Sequence, residues 1–232
     1  LTDVLEILPS DEFSFSHSGI QINGEDENNL VVQAFELIKS NYNIANVAIH
    51  LQKNIPMGAG LGGGSADATY TLLGLNKMFD LKLSNSTLEE LASELGSDCA
   101  FFVQDSAQIA TGRGEILENI LLDLKGMFLK IINPGIHIGT KEAYANIRFA
   151  PDDNCIEDII QLPVSEWKDS LKNDFEVSAF REHESLSIIK GRMYTEGAVY
   201  ASMTGSGSTM YGIYNERPVL WDSKLFERII EL

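Results

Sequence analysis

Hydrophobic and polar positions alternate with a period of two, then switch to helical spacing, several times along the chain. Residues 4–8 (Val-Leu-Glu-Ile-Leu) and 12–22 read as strands, with Phe13, Phe15, Ile20 and Ile22 as β-formers and His17-Ser18-Gly19 as a turn. A polar, acidic loop is expected over residues 23–29. Leu30, Ala34, Leu37 and Ile38 recur at helical spacing within 30–40, and residues 46–52 alternate like a half-buried strand. A glycine-rich run comes next, and directly after it Ala66, Leu72, Leu73, Leu75, Met78 and Phe79 predict a helix. The capping box Ser86-Thr-Leu-Glu89 and Gly96 predict the start and stop of the next one. Residues 107–118 form a strand broken by a glycine-rich turn. Residues 127–132, apolar apart from Lys130, read as a buried strand ended by Asn133-Pro134-Gly135. Beyond it the pattern predicts a helix around 140–147, helices within 156–173 and 178–195, and a strand–turn–strand over 198–214 around Thr204-Gly-Ser-Gly-Ser208. No internal repeat is visible. Strands and helices mix without a regular βαβ rhythm, which predicts an α+β fold. A boundary near Lys125-Gly126 divides it into two domains, residues 1–125 and 126–232.

Composition narrows the class. The 232 residues are 44% hydrophobic and 22% charged, which excludes a disordered, collagen-like or disulfide-stapled chain. With 34 acidic against 17 basic side chains the net charge is −17, a mean field that repels nucleic acid and anionic membrane surfaces. No apolar run is long enough to span a bilayer. Cys99 and Cys155 lie in no C-x-x-C pair and near no histidine cluster. They read as free thiols of a cytoplasmic protein rather than as zinc or redox ligands. His17, His50, His137 and His183 are scattered, and none is assigned to catalysis.

The densest feature is Pro56-Met-Gly-Ala-Gly-Leu-Gly-Gly-Gly-Ser-Ala-Asp-Ala68. Glycines let the backbone take positive φ and approach a ligand closely, and the unpaired amides and dipole of a following helix favour an anion. The combination suits a di- or triphosphate; the competing reading is a tight turn or linker. Ser65 offers a hydroxyl to a phosphate oxygen or to Mg²⁺. A Walker A loop is disfavoured, because Gly64 precedes Ser65 with no lysine between. Gly58, Gly60 and Gly63 spell G-x-G-x-x-G, with Asp80 at a suitable distance. Yet Pro56-Met57 separates them from the preceding strand, and Asp80 follows a helix directly, so dinucleotide binding stays an alternative only.

The same run resembles the ATP loop of the galactokinase, homoserine, mevalonate and phosphomevalonate (GHMP) kinases, Pro-x-x-x-Gly-Leu-Gly-Ser-Ser-Ala. Its triple glycine looks like the branch that phosphorylates a CDP-linked methylerythritol. Four more segments are similar, in order, from about residue 28 to 215: Leu95-Gly-Ser-Asp98-Cys-Ala-Phe-Phe-Val103, Gly112-Arg-Gly-Glu-Ile-Leu117, Asn133-Pro-Gly-Ile-His-Ile-Gly-Thr-Lys-Glu-Ala-Tyr144 and Thr204-Gly-Ser-Gly-Ser208. Ala100 stands where the family has proline, and Gly139 where it has serine. The family's opening strand with a catalytic lysine, and its Tyr-His segment for cytosine, have no counterpart here. Residues 1–7 resemble the family's stretch just beyond those two segments, so about forty preceding residues are expected. This stretch alone is expected to bind ATP better than it turns over substrate.

The resemblance implies an ATP- and Mg²⁺-dependent small-molecule kinase of the isoprenoid precursor pathway. Its fold would pair a ribosomal-protein-S5-like N-terminal domain with a ferredoxin-like C-terminal one, the site lying in the cleft between. It would act as monomer or homodimer, without nucleic acid or membrane. Asp98 would be the base that takes the hydroxyl proton; capping the following apolar run is the plainer reading. The nucleotide would be held by Pro56, Met57, Gly58, Ala59, Gly60, Leu61, Gly62, Gly63, Gly64, Ser65 and Ala66, with Lys53 and Asn29 nearby. A solvated strand-end position is the plainer reading of Lys53. Thr140 and Tyr144 would line the substrate pocket, Tyr144 alternatively being core. Gly205, Ser206 and Gly207 would close over the reacting phosphate, or form a hairpin turn. Asn173-Asp-Phe-Glu176 also resembles a family segment, for which a helix N-terminus is explanation enough. The alternatives are another GHMP kinase of homoserine or mevalonate type, or a non-catalytic nucleotide-binding protein.

Overall fold

The computed structural model describes every residue except Asn23, 148–154 and 222–223; Asn23, at the start of the predicted acidic loop, lies outside the described residues. The chain forms two compact units, Leu1–Met57 with Gly62–Leu121, and Gly58–Leu61 with Leu122–Leu232.

The first unit contains β1 (Val4–Pro9), β2 (Ser14–Gly19), α1 (Leu30–Tyr42), β3 (Val47–Lys53), α2 (Gly63–Met78), α3 (Asn85–Leu95), β4 (Gln108–Thr111) and β5 (Ile116–Asn119). β3 is the central strand, antiparallel to β1 and parallel to β2. Register puts Leu5, Ile7, Phe15, Ile49 and Leu51 on one face, against Phe35, Ile38, Leu72, Leu75 and Leu88 of the helices. Glu6, His50 and Ser16 share the other face.

Two expectations change here. His17-Ser18-Gly19 is not a turn: these residues pair with Leu51, Gln52 and Lys53, and the chain turns only beyond Gly19, whose φ is +82°. The cap of α3 is Ser84 rather than Ser86; its hydroxyl accepts from the Thr87 amide at 3.2 Å. The stop at Gly96 holds, and β4 and β5 pair around Gly112–Gly114 as the broken strand predicted.

The second unit contains β6 (Phe128–Asn133), α4 (Thr140–Asn146), α5 (Ile156–Ile159), α6 (Trp167–Ser170), α7 (Phe175–Glu182), α8 (Glu184–Thr195), β7 (Tyr200–Met203), β8 (Met210–Tyr214) and β9 (Phe226–Glu231). Its sheet runs β7-β8-β6-β9, all antiparallel. Both faces are covered, which explains why β6 is apolar on both sides, apart from the buried Lys130 and Asn133. Ile132, Ala201 and Met210 pack with Leu186 and Met193 of α8; Tyr200 and Ile213 pack with Ile159 and Trp167 on the opposite face. The helices expected within 156–173 are two single turns, and the 178–195 segment is divided between α7 and α8 at His183. β9 has no counterpart in the sequence pattern; Phe-Glu-Arg-Ile-Ile-Glu lacks the alternation that marks a half-buried strand.

Candidate active site

The glycine run breaks into helix at Gly63. Gly62, at φ +65°, supplies the left-handed turn, and no side chain caps the helix. The first intrahelical bond runs from the Ala66 amide to the Gly62 carbonyl at 2.9 Å, so the amides of Gly63, Gly64 and Ser65 point out of the helix end. A Cβ on Gly64 would meet nothing within 4 Å, whereas one on Gly62 would lie 2.8 Å from the Phe102 ring. An uncapped helix end with one open, unhindered glycine fits a phosphate chain.

Asp98 sits in the first unit beside this helix end. α3 stops at Gly96; the Cys99 amide then bonds back to the Gly96 carbonyl at 3.0 Å, and Ala100–Phe102 form a 3-10 turn. Thr69 of α2 donates its hydroxyl to the Cys99 carbonyl at 2.7 Å. The Cys99 thiol, pushed up by burial, also meets the hydroxyls of Ser65 and Thr69. Fixed between buried Cys99 and the β4–β5 turn at Ser97, the Asp98 side chain is exposed. It caps nothing: the 3-10 turn starts at Cys99 without a side-chain cap, which removes the plainer reading of this aspartate.

Lys53 is not solvated at a strand end. It continues the inward parity of Val47, Ile49 and Leu51 and is only 2% exposed. Its Nζ donates to Asp67 Oδ2 at 2.8 Å and to Asp3 Oδ2. Asp3 Oδ1 accepts from the amides of Asn54 and Ile55 at 2.5 and 2.9 Å. Burial alone would raise the Asp3 carboxyl; the bonds from Lys53 and the two amides more than offset it and hold Asp3 below the ordinary range. For Asp67, burial outweighs the attraction of Lys53, and the Asp3 charge adds to it, so its pKa is pushed from 3.8 up to about 6. The carboxyl carbon of Asp67 is therefore expected to titrate by NMR with a midpoint near 6; a midpoint below about 4.5 would contradict this burial. The sign for stability follows from the raised pKa. The folded protein holds the Asp67 proton longer than the unfolded chain, so this group's contribution falls as pH rises from about 4 to 6.

In the second unit the centre of the glycine run is strapped to the 204–207 turn. Thr204 donates its hydroxyl to the Gly60 carbonyl at 2.8 Å, and the Thr209 amide bonds to the Ala59 carbonyl at 3.2 Å. A Cβ on Gly60 would fall 2.2 Å from the Thr204 carbonyl oxygen, and one on Gly58 2.9 Å from the His137 ring. The turn is itself held from α7 and the residues leading into it. Asn173 Nδ2 donates to the carbonyls of Met203 and Gly205 at 2.7 and 2.8 Å, and Glu176 Oε1 accepts from the Met203 amide at 2.9 Å. Asn173 thus does more than mark a helix N-terminus, although its Oδ1 does accept from the Phe175 amide at 2.9 Å.

Among the other expected residues, Asn29 is the N-cap of α1, its Oδ1 accepting from the Val31 amide at 2.9 Å. Thr140 opens α4, and Gly139, in place of serine, leaves that helix without a side-chain cap. Tyr144 is not core: it is 60% exposed, edge-on to Phe175 with ring centres 5.0 Å apart. Sequence reasoning does not find Asp3 and Asp67; the inward parity of Lys53 is the signal that it needs buried counter-charges. Among the described residues no group of three or more His, Cys, Asp or Glu could hold a metal ion, and no helix is long and apolar enough to cross a membrane.

Residues 29–106 match the GHMP kinases N terminal domain. The chain is 44% identical over 217 residues to the 4-diphosphocytidyl-2-C-methyl-D-erythritol kinase of Cytophaga hutchinsonii, covering 93% of this chain and 80% of that protein. It is 44% identical over 234 residues to the enzyme of the same name from Bacteroides thetaiotaomicron, covering 97% and 85%. A crystal structure of 4-(cytidine 5'-diphospho)-2C-methyl-D-erythritol kinase superimposes with a TM-score of 0.77 at 31% identity, covering 90% of this chain and 76% of that one. With an uncapped glycine-rich helix end, an exposed aspartate beside it and likeness at this level over most of its length, the chain belongs to the GHMP kinase family.

Proposed function

We propose that the protein transfers the γ-phosphoryl group of ATP to the 2-hydroxyl of 4-(cytidine 5'-diphospho)-2-C-methyl-D-erythritol, a step of the non-mevalonate route to isoprenoid precursors. The observation that carries this reading is the exposed Asp98, whose neighbour Cys99 is held to the second turn of α2 by the Thr69 hydroxyl. The relatives' shared name supports the choice of acceptor over homoserine or mevalonate.

In this reading residues 56–66 cradle the nucleotide, with the amides of Gly63, Gly64 and Ser65 aimed at phosphate oxygens. Asn29 lies by the adenine. A magnesium ion would be held by phosphate oxygens and Ser65 Oγ, and when bound it supplies charge neutralisation. Thr140 and Tyr144 position the acceptor, and Gly205, Ser206 and Gly207 cover the transferred group. Asp98 accepts the proton of the acceptor hydroxyl. That oxygen forms a bond to the γ-phosphorus as the bond from phosphorus to the β–γ bridging oxygen breaks, and ADP leaves. The net charge of −17 does not oppose anionic substrates locally, because backbone amides and a helix dipole hold them. We place the protein in the cytoplasm, acting on a small molecule as a monomer or homodimer.

A substrate panel with Mg·ATP and full-length protein tests the acceptor. The CDP-linked alcohol is expected to give a kcat/KM at least about 100-fold above homoserine or mevalonate. Equal or greater turnover of either rival would overturn the assignment.

A further inference from the structure

The buried Lys53 raises a question that the kinase reading does not answer. A cation beside a phosphate loop invites the role of nucleotide ligand, yet this ammonium already carries two carboxylates and is shut away from solvent. One lysine against Asp3 and Asp67 leaves no net positive charge to offer a phosphate. What the cluster does have is position. The Lys53 Nζ lies 3.0 Å from where a Cβ on Gly63 would stand, directly under the first residue of α2. Asp67 belongs to the second turn of the same helix. Asp3 reaches from ahead of β1 to take the amides of Asn54 and Ile55, the two residues that lead from β3 toward Pro56.

We infer that Lys53 is a positioning residue for nucleotide binding: gripped by Asp3 and Asp67, it locks the strand that enters the glycine loop to the helix that leaves it. The lock rests on the kinase reading, and it works through geometry alone. The entering segment is held through Asp3, and the leaving helix through Asp67 and the close approach permitted by Gly63. The amides of Gly63, Gly64 and Ser65 are thereby aimed before ATP arrives.

The cluster's charge count gives the test a distinctive form. Lys53→Met leaves two buried carboxylates facing each other without a cation. Asp67→Asn leaves Lys53 paired with Asp3. Lys53→Met/Asp67→Asn leaves one carboxylate with its two amides. In full-length protein, Lys53→Met is expected to raise KM for ATP about tenfold with kcat changed less than about threefold. Asp67→Asn, which cuts the ion pair to the helix but keeps the cation, should raise KM for ATP about threefold, and the double variant should bind ATP no better than Lys53→Met. A direct nucleotide contact predicts otherwise: Asp67→Asn would free the ammonium for phosphate and leave KM for ATP unchanged or lower, and that result overturns the inference. An unchanged KM in Lys53→Met overturns it too. Should Lys53→Met fail to fold, Asp3→Ala carries the test, since it frees the Asn54 and Ile55 amides while keeping Lys53 and Asp67; a KM for ATP equal to wild type would then refute the lock. Wild-type protein that turns over no ATP would instead refute the kinase reading.

Discussion

Replacing Asp98 by Asn is expected to lower kcat by about 10²–10⁴-fold while leaving the affinity for ATP nearly unchanged. The asparagine is the same size and keeps the exposed position between Gly96 and Cys99, but it cannot accept the proton of the acceptor hydroxyl. Folding should not change, because the carboxylate caps no helix and the fold around it is held by the Cys99 carbonyl and the buried Cys99 and Ala100 side chains. Steady-state kinetics with nucleotide titration checks both halves. Turnover within about fivefold of wild type would remove Asp98 from the chemistry.

The second large effect separates two glycines of one loop. Gly60→Ala is expected to raise KM for ATP by about two orders of magnitude or to prevent folding of the second unit. At φ +72° an L-residue is strained, and its Cβ would stand 2.2 Å from the Thr204 carbonyl and 2.9 Å from that of Gly207, both backbone atoms with no rotamer to yield. Gly64→Ala is the contrast. It lies in the first turn of α2 with open space around its Cβ, so alanine should stabilise the helix by about 0.5–1 kcal/mol. What it would lose is the open surface that the proposed phosphate chain would occupy. A raised melting temperature together with weakened ATP binding is therefore expected for Gly64→Ala. Full ATP affinity in that variant would move the phosphates off this helix end.

The parts of the site that can be read from sequence are those in which neighbouring residues do the work. The glycine run, the helix it opens, and the Ser97–Val103 segment carrying Asp98 depend on local backbone freedom and short hydrogen bonds, and they stand where the pattern puts them. Lys53 escapes such a reading because its fate depends on partners 50 and 14 residues away, Asp3 and Asp67. Strand parity alone says that its side chain turns inward, not what meets it there. Tyr144 shows the reverse error: helical spacing suggests core, but among the described side chains of α4 only Ala143 is buried. His17 and Ser18 look like a turn because an edge strand with one polar face offers little apolar alternation. The grip of Asn173 and Glu176 on the 204–207 turn is tertiary and leaves no local trace beyond a helix start.

The most direct test of phosphoryl transfer to the CDP-linked alcohol is ³¹P NMR of full-length protein with Mg·ATP and that compound. A new phosphate monoester resonance on the acceptor is expected, growing in step with ADP and lost in Asp98→Asn. ATP bound but never consumed, or phosphate released to water with the alcohol intact, would contradict the transfer.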